Sequence, residues 1–164
     1  MIDLQTLLTY LTLISVPVGV FYHIMTLRNQ SRTRQAQLFM QIYNRMDEDW
    51  MVAWHDLYNK ELNSFEDYWE HYNPETNREN YRSLMKLATY FEGIGVMLKE
   101  GLLDIRPVAL IVGAPARYFW EKLLPAVEGV RAHYGSKRVW DEQEYLYNEL
   151  VKYIEKHPEL RDNP

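Results

Sequence analysis

Glu92 stands in the run Tyr90-Phe91-Glu92-Gly93-Ile94-Gly95, an ionisable group among large apolar neighbours. A carboxyl in such surroundings needs a partner or a raised pKa. Two chemistries are compatible with it: acid/base work in a helical pocket, or a structural ion pair with Arg117 or Arg131 further along the chain. The ion pair is the simpler reading. Gly93 and Gly95 suit it, because small residues let a partner helix approach closely. His55, His71, His133 and His157 with nearby acids are the only candidates for a metal site. No H-E-x-x-H is present, and no E-x-x-H repeated on two helices. Asp47-Glu48-Asp49 lacks the glycine and spacing of a calcium loop, so it reads as a solvated patch. The chain has no cysteine, which removes thiolate nucleophiles, disulfides and cysteine-based clusters. There is no nucleophile elbow or phosphate loop, and Gly93-Ile94-Gly95 follows no strand. We expect no catalysis, no cofactor and no metal, with any small-molecule ligand unknown.

The elements that would position these groups follow from composition and period. Of 164 residues, 47% are hydrophobic, enough to fill one core behind an anchor. The net charge of −5 argues against a nucleic-acid partner, which needs a concentrated basic surface. Between Asp3 and Arg28 there is no formal charge, so Leu4–Leu27 is an uninterrupted run of 24 uncharged residues. As a helix it reaches roughly 36 Å at ~1.5 Å per residue, against a hydrocarbon thickness of about 30 Å. A cleaved signal peptide would need a basic start and a small-residue cleavage site. A surface helix would need a cationic face. A soluble core helix of this length would seldom lack charge. The spanning reading therefore leads, with membrane lipid as a partner.

Arg28, Arg32 and Arg34 follow the run with no acid among them. They place the C-terminal part in the cytoplasm and the short N-terminus outside the cell membrane, in a single-pass arrangement, and they suit lipid headgroups. Thr12, Ser15, Gly19, Tyr22 and Thr26 recur at spacings of three and four, giving a small or polar seam for a second copy or another membrane subunit. Pro17 is expected to kink this helix.

Past the anchor the pattern is helical throughout, and no alternating strand pattern appears. The expected organisation is a transmembrane anchor over 1–27, a juxtamembrane helix over 28–58, a helical bundle over 59–157 and a tail over 158–164. The apolar series Leu38, Phe39, Ile42, Tyr43, Met46, Trp50, Met51, Trp54 and Leu57 reads as a continuation of the anchor helix. Ser64 with Asp67 marks a short helix over 65–71. Asn73-Pro74 reads as the cap of the next one, which stops at Gly101. Asp104 caps a short helix ended by Gly113, and Ala114-Pro115 opens another that Pro125 should kink or split. Gly135 ends it, and a last helix covers about 139–156. The fold class is all-α: one N-terminal transmembrane helix and a bundle of four to six helices.

The stretch Tyr90 to Asp104 is similar to the central motif of a prokaryotic family of membrane-anchored helical domains of unknown function. That motif is an aromatic-Glu-x-Ile-Gly helix ending in Lys-x-Gly-Leu-Ile-Asp. Phe119-Trp120-Glu121-Lys122-Leu123-Leu124-Pro125 resembles the family's later Trp-x-Lys-Leu-x-Pro element, and Arg131 falls where a further arginine is expected. The resemblance, over roughly 32–131, implies the anchor and the helical fold and carries no activity. We expect a membrane-anchored interaction or scaffold protein, or an accessory subunit of a membrane complex, oligomeric and without catalysis. A small oligomeric pore or conductance regulator is the first alternative, and an enzyme using Glu92 in a helical pocket the second.

Overall fold

In the computed structural model the described residues run from Asp3 to Leu160. They form seven α-helices and, among the described residues, no strand. The helices are α1 (Leu4–Tyr43), α2 (Glu48–Asn59), α3 (Phe65–Tyr72), α4 (Arg78–Lys99), α5 (Ile105–Ile111), α6 (Gly113–His133) and α7 (Asp141–Lys156). The all-α expectation holds. Two compact units divide the chain, one up to Leu38 and one from Phe39 onward.

The first unit is helical from Leu4 onward. The side chains described from Leu4 to Met25 are exposed. Its hydroxyls are satisfied locally: Thr9, Thr12 and Thr26 donate to the carbonyls of Gln5, Leu8 and Tyr22 at 2.8–2.9 Å, and Ser15 to that of Thr12 at 3.2 Å. A hydroxyl bonded to its own helix needs no water, which suits an apolar medium.

In the second unit, α4 packs against α2, α3 and α7, while α6 packs against α3, α5 and α7. Phe91 of α4 and Phe119 of α6 meet at 4.9 Å in the centre, both fully buried. Leu57, Leu84, Leu87, Leu123, Leu146 and Leu150 surround them at 1% exposure or less. Each such side chain contributes about 1.5–3 kcal/mol of hydrophobic free energy.

The helix over 28–58 is not continuous. α1 stops at Tyr43 and α2 starts at Glu48, because Asp47 turns its carboxylate onto the Trp50 amide at 2.8 Å and caps a new helix. That bond is the main reason its pKa is lowered. The apolar series crosses this break without losing its period, so it hid the turn. α3 starts as its residues imply, with the Asp67 amide donating to Ser64 Oγ. Asn73, however, caps only a turn: its side chain accepts from Glu75 N at 2.8 Å, and α4 begins beyond Asn77.

Gly101 and Gly135 both take positive φ. Each closes its helix with the paired bonds of a Schellman end: Leu102 N to Met97 O and Gly101 N to Leu98 O, then Ser136 N to Arg131 O and Gly135 N to Ala132 O. Gly113, by contrast, opens α6 rather than ending α5. Pro125 does not split α6, which runs unbroken to His133. Of the expected tail, Pro158–Leu160 forms a 3-10 turn, and 161–164 lie outside the described residues, as do 1–2 of the anchor.

Candidate functional site

Two stripes of α4 carry polar chemistry. The first is Glu92, Gly95 and Lys99, which receive the start of α7. Glu92 Oε1 accepts the Gln143 backbone amide at 3.1 Å. Helix starts leave amides unpaired, and here the acceptor comes from another helix 51 residues away in sequence. A Cβ on Gly95 would overlap the Glu142 carbonyl, so α7 sits directly on the α4 backbone there. Lys99 Nζ holds both Glu142 carboxylate oxygens at 3.0 Å.

Gln143 is fully buried, and its Nε2 donates to the Ala116 carbonyl of α6 at 3.0 Å. From α6, Arg131 reaches Val139 O at 3.1 Å, Glu144 at 2.6 Å and Glu128 at 3.3 Å. Trp140, buried and left-handed at φ 58°, turns the chain into α7 against Tyr68.

Of the two arginines expected to pair with Glu92, Arg131 pairs elsewhere. Glu92 takes backbone amides, and Arg131 takes the α7 acid Glu144. Burial is the main cause holding the Glu92 carboxyl above its ordinary range; the Gln143 amide opposes it, and Glu142 and Asp141 add to it. Arg117 lies on α6 in a groove with Trp54, Tyr58, Tyr118 and Glu121.

The second stripe is Met85, Lys86, Thr89 and Tyr90. With Asn44, Arg45, Asp47 and Trp50 it lines a cavity of about 520 Å³ between the α1–α2 turn and α4. Lys86 binds Asp49 at 3.0 Å and Asp47 at 3.3 Å, which raises its pKa. The acid run 47–49 thus caps α2 and ties it to α4. Trp50 and Tyr90, 2% and 7% exposed, meet edge to face at 5.5 Å. Trp50 Nε1 and the Tyr90 hydroxyl are buried and meet no hydrogen-bond partner among the described residues. Leaving such a group unpaired costs about 1–3 kcal/mol. Burial pushes the Tyr90 hydroxyl up to about 12, so it remains a donor at neutral pH.

Of the residues expected to form a seam, Thr12, Ser15, Gly19 and Tyr22 are exposed on α1, with Thr26 half-buried. Arg28, Arg32 and Arg34 are exposed on the same helix. Among the described residues, no cluster of three or more histidines and acids could hold a metal. Sequence reasoning missed Gln143, Trp50 and Tyr90 as polar actors. Gln143 had a signal, since it shares the spacing of Leu146, Leu150 and Ile154 on the buried face of α7.

Fold and site together define an all-helical bundle preceded by one helix long and apolar enough to cross a membrane. The chain belongs to the family described as Domain of unknown function (DUF4760), which matches residues 13–150. No curated protein and no solved structure matches it.

Proposed function

We propose that this is a single-pass membrane protein whose cytoplasmic bundle serves assembly or docking rather than catalysis. The observation that supports it is the uncharged run Leu4–Leu27, exposed along α1 with no share of its apolar window buried. Such a surface is disfavoured in water by about 25 cal/mol per Å² and is relieved in lipid or against other apolar helices. The arginines at 28, 32 and 34 follow it on the side retained in the cytoplasm. Along the same helix Gly19 has nothing within 4 Å of a would-be Cβ, leaving room for a second backbone. A second copy, or another membrane subunit, fits this seam.

The absence of cysteine makes the test clean. Single cysteines are introduced at Asp3 and at Ser136 and labelled from outside intact cells with a membrane-impermeant maleimide. The reading requires labelling at Asp3 only, with the chain retained in alkali-washed membranes. Recovery in the aqueous fraction, or labelling at Ser136, overturns it. For the seam, Gly19→Leu should reduce the assembly size in mild detergent. A wild-type monomer indifferent to this change refutes oligomerisation through α1.

A further inference from the structure

Building on the single-pass reading, we propose that one stripe of α1, at the cytoplasmic edge of the span, binds an anionic phospholipid through Arg28 and Arg32. The two arginines lie four residues apart in an unbroken helix, so they share a face and stand roughly 6 Å apart along its axis. Phe21, Ile24 and Met25 precede them on that face, and Gln35 continues it. Gln35 is half-buried and the other five are exposed. The stripe is apolar and then cationic, in the order of a phospholipid's acyl chain and phosphate.

The Cα–Cβ bonds of a helix tilt toward its N-terminus. With the N-terminus outside, both arginine side chains lean back toward the bilayer. The headgroup layer is about 5–7 Å deep on each side, so the two guanidiniums fall within it. No acid lies between Asp3 and Asp47, and neither arginine is in an ion pair among the described residues. Charge complementarity selects the occupant. From Asp47 onward the chain holds all but one of the 23 acids, so an anion is drawn to this stripe rather than to the bundle. A guanidinium meets a phosphate through two parallel N–H donors. Phosphatidylcholine carries its own cation beside the phosphate, and phosphatidylglycerol does not.

The test places the full chain in phosphatidylcholine vesicles, washed in alkali, with spin-labelled phosphatidylglycerol or phosphatidylcholine as the probe. The relative association of the two probes with the protein is read by electron spin resonance. Phosphatidylglycerol should be preferred roughly fivefold or more, the effect expected of one cation near the surface. Arg28→Gln combined with Arg32→Gln should abolish most of that preference, and Arg28→Lys combined with Arg32→Lys should keep most of it. Arg34 lies off this face, so Arg34→Gln should cost less than Arg28→Gln or Arg32→Gln alone.

Retention in the washed vesicles without any preference overturns this inference and leaves the single-pass reading standing. Loss of the chain to the wash overturns both. A preference unchanged in the double glutamine variant, or a loss at Arg34→Gln as large as at the other two, also overturns it. So does a smaller assembly of the double variant in pure phosphatidylcholine, which would assign these arginines to the acids of a second copy.

Discussion

The two polar stripes of α4 differ in how their groups are satisfied. At Glu92, Gly95 and Lys99 the polar groups that α4 presents meet α7: a carboxylate on an amide, a bare backbone under a carbonyl, an ammonium on a carboxylate. At Trp50 and Tyr90 two buried donors face no acceptor among the described residues. The conspicuous residue, an acid in an apolar run, takes part in seating α7. The inconspicuous ones, two aromatics at core positions, mark the cavity. An odd residue type signals a structural need that the fold can meet internally, whereas polar atoms on ordinary core aromatics can stay unmet inside it.

Substitutions at four positions can break or sharpen this contrast, each read by urea or thermal unfolding followed by circular dichroism in mild detergent. The largest effect is expected from Gly95→Ala, whose methyl group would overlap the Glu142 carbonyl. A loss of about 2–3 kcal/mol should result, and an unchanged midpoint would mean that α7 is not seated on α4 there.

Next, Glu92→Ala should cost about 1–2 kcal/mol, as the loss of a helix cap does. Glu92→Gln keeps an acceptor and should cost less. It also carries a pH signature. The folded pKa of Glu92 is raised above its ordinary 4.5, so its contribution is fully present below that value and is lost as pH rises through the folded value. Wild-type stability from this group should decline from acid toward neutral pH, and Glu92→Gln should flatten that component. An equal slope in both proteins would assign the pH dependence to groups other than Glu92.

Gly93→Ala, two residues before the crowded glycine, has open space around its would-be Cβ. It should stabilise the protein by about 0.5–1 kcal/mol through helix propensity alone. Smallest, Tyr90→Phe should leave stability unchanged or raise it by up to about 1 kcal/mol, because it deletes an unpaired buried hydroxyl. A clear loss instead would place a bonding partner for that hydroxyl inside the fold.

What could be read from the residues was what local geometry decides. Ser64 with Asp67 starts α3, and Gly101 and Gly135 end α4 and α6, because each device is completed within about six residues. The break at 44–47 escaped because Asp47 alone signals it while the apolar period runs on from Ile42 to Trp50. Asn73-Pro74 misled because the same side-chain bond that caps a helix can also close a turn. The partner of Glu92 was not legible: it is a backbone amide, identical at every residue, that only tertiary contact brings near. The membrane reading of Leu4–Leu27 rests on the uncharged run, and the exposure of those side chains on α1 is consistent with it. That Trp50 and Tyr90 lack acceptors is a property of their surroundings, which no spacing encodes.

Gln143 has a consequence for how the last helix finds its place. A slide of α7 by one turn, about 5.4 Å, would keep much of its greasy stripe covered, since Leu146, Leu150 and Ile154 repeat at nearly helical intervals. It would also strand the Gln143 amide in a dry interior, away from the Ala116 carbonyl. Misaligned versions of the bundle thus carry an error that hydrophobic burial cannot repair, and the single buried amide acts as the notch by which α7 recognises its correct register.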